Sequence, residues 1–121
     1  MTQTIVVLEK DPSVVRSLAV GLRPHFSVHV SRSREELRNN VVVNNPEAVV
    51  IDLEFWRMTE VESLHRDFPT LPIVCTHRVP DEEMWMAALE AGASDVCPTD
   101  DVAAALSSLL HHVALARNAA A

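Results

Sequence analysis

Residues 46 to 56 read PEAVVIDLEFW. Ala48, Val49, Val50 and Ile51 form a short apolar run, rich in β-branched side chains and opened by Pro46. A run without polar alternation reads as a strand buried on both faces, the condition of a central strand in a parallel sheet. The run stops on a single carboxylate, Asp52. A lone charge at the end of a buried strand is costly unless something partners it. In open α/β sheets, sites lie at the carboxyl ends of the strands. Asp52 is therefore the first candidate functional residue; the plainer reading makes it a cap on the following loop.

The flanking sequence repeats the theme. Thr4 to Leu8 is a second β-branched run and ends on Glu9, Lys10 and Asp11. Asp11 followed by Pro12 is a helix start, with Asp11 as N-cap and Pro12 at the first helical position. Val14, Val15, Leu18 and Leu22 follow at helical spacing, and Pro24 closes the helix. Phe26 to Val30 alternates like a half-buried strand. Ser33 to Glu36 is a capping box for a second helix, which runs into Val41–Val43 and ends at Asn44-Asn45-Pro46. After the central strand, Met58, Val61, Leu64 and Phe68 mark a third helix, closed by Pro69. Pro72 to Thr76 is a fourth strand. Asp81 to Ala91 is a fourth helix, with Met86 and Leu89 on its inner side and Gly92 at its left-handed cap. Asp95 to Cys97 is a fifth strand. Thr99 to about Arg117 is a last helix, with Asp100 and Asp101 in its first turn and Val102, Leu106, Leu109 and Val113 as its stripe. The tail, 118–121, is expected to fray.

Five strands alternating with five helices over short loops predict an α/β fold, (βα)5. Its five-stranded parallel sheet is doubly wound, with helices on both faces and right-handed crossovers. At 121 residues the chain is one domain, 1–121. The net charge of −7, with scattered basic residues, argues against a nucleic-acid surface. No stretch approaches the ~18 consecutive apolar residues of a membrane span. The N-terminus lacks the basic and apolar regions of a signal peptide. Cys75 and Cys97 have no ligand spacing and read as buried reduced thiols, a disulfide between them being the lesser option. A cytoplasmic protein is expected.

In such a sheet the first and third strands end side by side at the switch point. Glu9, Lys10 and Asp11 then meet Asp52 and Glu54, with Thr76-His77 and Pro98-Thr99 arriving from the fourth and fifth strands. LEKDPSVV, PEAVVIDL and ALEAGASDVCP, in this order, resemble the receiver (CheY-like) domains of two-component response regulators across essentially the whole chain. The resemblance implies a flavodoxin-like fold and a place in phosphorelay signalling. A central aspartate would take a phosphoryl group from the phosphohistidine of a sensor kinase. Two acids would hold Mg²⁺, a lysine would pair with the phosphoryl oxygens, and a Ser or Thr would couple the event to a conformational shift. Such transfer rests on positioning and charge neutralisation.

Only part of that pattern is present. Asp52 matches the phosphoacceptor and Glu9 the first acid. Lys10 stands where the second acid belongs, Thr99 where the lysine belongs, and His77 where the Ser or Thr belongs, with Thr76 there instead after a one-residue slip. Val96 replaces the switching aromatic, and Trp56-Arg57 the usual Pro-Gly. Asp11 is read as the helix cap, able to swing in as a ligand. The expectation is a degenerate receiver, or pseudo-receiver: a Lys10–Asp52 ion pair takes the place of the metal. At ~4 Å and an effective dielectric of 20 the attraction is about 4 kcal/mol before desolvation. The alternative is an ordinary phosphoaccepting receiver, Lys10 turned to solvent and Mg²⁺ bound weakly by Glu9 and Asp52. His77 is read as filling the pocket rim, a hydrogen bond to Asp52 being its functional option.

Met84-Trp85-Met86 cannot all face inward. Met86 is assigned to the core, Met84 outward, and Trp85 either beside the pocket or on an interaction face with Met84. The expected role is a signalling or protein-interaction module without turnover. Its partners would be a sensor histidine kinase, an output protein or a second copy. A flavodoxin-like cofactor binder or small α/β enzyme is the reading from another class, but EKDPS is no phosphate cradle and there is no GxGxxG. No cofactor is expected.

Overall fold

The computed structural model describes residues 3–120. The elements run β1 (Thr4–Leu8), α1 (Pro12–Leu22), β2 (Ser27–Ser31), α2 (Arg34–Asn44), β3 (Ala48–Asp52), α3 (Met58–Asp67), β4 (Ile73–His77), α4 (Glu82–Ala91), β5 (Asp95–Pro98) and α5 (Val102–Ala120). All strand pairs are parallel, in the order β2-β1-β3-β4-β5. The expected (βα)5 doubly wound sheet is present, with β1 and β3 adjacent.

Strand periodicity divides the core in two. Val6, Leu8, Val49, Ile51, Ile73 and Cys75 pack with Leu37, Val41, Val61, Leu64 and Ala88 from α2, α3 and α4. Ile5, Val7, Val50, Val74 and Cys97 pack with Leu18, Leu22, Ala105 and Leu109 from α1 and α5. Each such buried aliphatic side chain contributes about 1.5–3 kcal/mol by leaving water. Every residue of β3 is buried, as a strand covered on both faces requires. Cys75 and Cys97 lie on opposite faces of adjacent strands, so they are free thiols rather than a disulfide. Burial pushes the Cys75 thiol up to about 12 and that of Cys97 to about 11.

Several local expectations shift. The Asp101 carboxylate accepts from Ala104 N at 3.0 Å, so α5 starts at Val102 rather than Thr99. α5 continues through Ala120, and Ala121 lies outside the described residues. At α2, Ser33 caps Glu36 N, while the Glu36 carboxylate reaches Arg32 N at 3.4 Å instead of closing the box on Ser33. β2 is an edge strand, half-buried from Ser27 to Val30 without the expected alternation.

The largest correction is the phase of α4. Met84, Ala88 and Ala91 face inward, whereas Trp85, Met86 and Leu89 are exposed. The alanines let α4 lie close to the sheet, which leaves no depth for the bulkier residues. Met84 does not look outward as expected. It lines a depression with Leu53, Trp56 and Met58.

Candidate functional site

Alternation along a strand and parallel register together decide which side chains meet. Ile5 and Val7 face α1 and α5, so Glu9, two residues on, follows them. Val50 puts Asp52 on that side too. Thr76 is in register with Asp52, and Cys97 in register with Thr76. Glu9, Asp52 and Thr76 therefore form a buried polar row, each about 1% exposed. Thr99, one step beyond β5, joins at the rim.

The Glu9 carboxylate is held at one oxygen: Oε1 accepts from Lys10 N at 2.9 Å and Asp11 N at 3.0 Å. Its other oxygen finds no donor among the described residues. Asp52 Oδ1 accepts from Glu54 N at 3.0 Å. Burial, then the neighbouring Asp52 carboxyl, raise the Glu9 pKa to about 7. A second carboxyl beside a buried one disfavours its charged form, since like charges do not both ionise freely. The hydroxyls of Thr76 and Thr99 are buried and unpaired among the described residues.

Lys10 is not in this row. Its Nζ sits 4.8 Å from the ring centroid of Trp56, a cation–π contact, and it makes no ion pair with Asp52. The expected Lys10–Asp52 pair is thus corrected. Adjacent residues at a strand end point to opposite sides; Glu9 takes the side of Asp52, and Lys10 takes the side where Trp56 packs.

The other acids are engaged elsewhere. Asp11 Oδ1 accepts from Ser13 N at 2.9 Å and Ser13 Oγ at 2.8 Å, the expected cap, and the Ser13 donors hold its pKa low. Glu54 Oε1 accepts from Arg78 N at 2.8 Å and lies 3.6 Å from His77 Nε2. His77 Nδ1 accepts from Val79 N at 3.1 Å, so His77 ties the β4–α4 loop to the β3–α3 loop instead of reaching Asp52. The sequence named Thr76 only as a one-residue slip; register makes it the hydroxyl beside Asp52.

These residues do not fit Mg²⁺ as a receiver would hold it. The ion needs an octahedron completed by water. Glu9 Oε1 and Asp52 Oδ1 accept from backbone N–H groups, both residues are sealed from solvent, and Lys10 stands where the second acid belongs. No group of three or more His, Cys, Asp or Glu side chains able to hold a metal occurs among the described residues.

A sheet of this order with its polar row at the β1–β3 switch point defines a doubly wound α/β protein of the flavodoxin-like class. More narrowly, the fold is that of response-regulator receiver, or CheY-like, domains. A response regulator from Thermotoga maritima superposes with a TM-score of 0.85 at 14% identity, covering 94% of this chain and 99% of that one. A CheY-like receiver domain protein from Methanospirillum hungatei JF-1 gives 0.84 at 13% identity, covering 98% of each chain. The N-terminal receiver domain of a two-component response regulator from Bacteroides fragilis gives 0.84 at 23% identity, covering 93% of this chain and 98% of that one. No family model and no curated protein matches the sequence.

Proposed function

We propose that this chain is a receiver-type signalling domain whose pocket has exchanged divalent-ion chemistry for a shared proton. It acts through protein contacts, without turnover, and accepts phosphoryl groups poorly at Asp52. The observation that carries this reading is the sealed Glu9–Asp52 pair, with Lys10 drawn off onto Trp56 and a hydroxyl at Thr99. An incoming phosphoryl dianion meets two carboxyls and no fixed cation. Catalysis of its transfer needs the opposite, charge neutralisation around the acceptor.

Partners in this reading are proteins: a sensor histidine kinase, an output protein or a second copy. Trp85, Met86 and Leu89, exposed on α4, support an apolar contact surface. Reduced, buried thiols are in keeping with a cytoplasmic setting. No helix of the described residues is long and apolar enough to cross a membrane.

Intact-mass measurement after incubation with acetyl phosphate and Mg²⁺ tests the proposal. The wild-type chain is expected to stay below roughly one-tenth occupancy, and Lys10→Asp combined with Thr99→Lys to gain modification as charge neutralisation is restored. Stoichiometric modification of wild-type Asp52 overturns the reading in favour of an ordinary phosphoacceptor.

A further inference from the structure

The β3–α3 and β4–α4 loops are joined through one carboxylate and one imidazole. Glu54 N donates to Asp52 Oδ1 at 3.0 Å, which fixes the start of the first loop. The Glu54 side chain crosses to the second loop, where its Oε1 accepts from Arg78 N at 2.8 Å and lies 3.6 Å from His77 Nε2. At the other edge of the ring, His77 Nδ1 accepts from Val79 N at 3.1 Å. The backbone of His77 is held independently of its ring. It pairs with Pro98 of β5, and its carbonyl accepts from Thr99 N at 2.9 Å. Residues 78–80 lie beyond that ladder and lead to Asp81, whose carboxylate caps α4 at Met84 N.

These contacts fix where the ring carries its hydrogen. A nitrogen that accepts is unprotonated, so the neutral ring bears its hydrogen at Nε2, toward Glu54. A second proton enters at Nδ1, where the Val79 N–H already points. Two N–H groups aimed at each other lose their hydrogen bond and leave both donors unpaired. The Glu54 carboxylate, at the opposite edge, favours the charged ring. Protonation therefore strengthens the tie to Glu54 and breaks the tie to Val79. The His77 side chain is 22% exposed and that of Glu54 28%, so a proton reaches the ring without opening the core. Other charges stand further along the chain: Arg78, whose cation bears on Asp11, and Asp81, Glu82 and Glu83 at the start of α4. β5 brings Pro98 and Thr99, neither of which titrates.

We propose that this chain senses pH through His77: the neutral ring holds the β4–α4 loop closed, and the protonated ring releases Val79 and frees the entrance to α4. Imidazole suits the task because its charge changes between pH 5 and 8. The ring stays on Glu54 while residues 78–80 move. α4 carries Trp85, Met86 and Leu89 on its outer side, so a change at its entrance is presented to whatever binds there. The device goes beyond the receiver-type reading and does not require it, since it works whether or not Asp52 takes a phosphoryl group.

NMR titration of the full chain tests this. At pH 8 the wild-type His77 ring is expected as the Nε2–H tautomer, read from its two ring nitrogens. Between pH 7.5 and 5.5 the Val79 amide shift is expected to follow the titration of that ring. Its protection against hydrogen exchange, corrected for the direct effect of pH, is expected to fall by about tenfold, the change in charge of an unperturbed imidazole over that range. His77→Asn places an amide oxygen where Nδ1 stands and does not titrate, so its Val79 amide is expected to keep shift and protection throughout. Glu54→Gln keeps an acceptor for Arg78 N without the charge, and is expected to move the midpoint to lower pH. An Nδ1–H tautomer at pH 8, or a Val79 amide indifferent to the ring's titration, overturns the proposal in wild-type protein, with no variant needed. A pH response of Val79 that persists in His77→Asn also overturns it and assigns the proton to Glu9, whose pKa of about 7 lies in the same range. A midpoint unmoved in Glu54→Gln overturns the part played by Glu54.

Discussion

At Glu9 a single carboxyl couples stability to pH. Its pKa rises from 4.5 to about 7 on folding, because burial and the Asp52 carboxyl disfavour its charged form. A raised folded value means a stabilising contribution fully present below 4.5 and lost as pH rises through 7. Glu9→Gln keeps an acceptor for Lys10 N and Asp11 N and supplies an amide donor toward Asp52. It is expected to exceed wild type in stability at pH 8 by up to about 3 kcal/mol, the gap closing toward pH 4. Urea unfolding at both pH values measures this; wild-type stability unchanged between them contradicts the shared proton. Asp52 and Glu9 were legible in the sequence because a carboxylate ending an apolar run is conspicuous. The direction of Lys10 was less so: a net attraction to Asp52 suggested the pocket, and the two-residue period of the strand overrode it.

Turn chemistry and packing cooperate at the end of α4. Gly92 has φ 110°, and a Cβ there lies 2.3 Å from the His65 ring. Both strain and overlap oppose a side chain. Gly92→Ala is expected to destabilise by about 2–4 kcal/mol, and by about 1–2 kcal/mol less in a His65→Ala background, where the overlap is gone. A double-mutant cycle by chemical denaturation checks this, and simple additivity removes the steric part. The caps at Asp11, Ser33 and Gly92 were readable because each is chosen by backbone geometry within a few residues. The phase of α4 was not. Three bulky apolar residues in a row fit several rotations of a helix, and the sheet accepted the one that buries Ala88 and Ala91.

For the whole molecule, that rotation leaves Trp85, Met86 and Leu89 on one outer surface. In the proposed reading this patch is the contact surface. Wild-type protein is expected to self-associate weakly as concentration rises in sedimentation velocity. Trp85→Ser with Leu89→Ser is expected to remain monomeric, with stability within about 0.5 kcal/mol of wild type. Monomeric wild type at every concentration removes the homodimer and leaves a different protein as the occupant.

Order and kind of elements, the parallel sheet and the place of Asp52 at its switch point followed from the sequence alone, because each depends on local periodicity, capping residues and short connections. Tertiary structure decided which neighbours those residues acquired. It paired Glu9 with Asp52, laid Lys10 on Trp56, turned Trp85 outward and drew Arg34, Arg38 and Arg66 together over Ser63. Strand register and helix phase come from packing between distant segments, which no local pattern encodes.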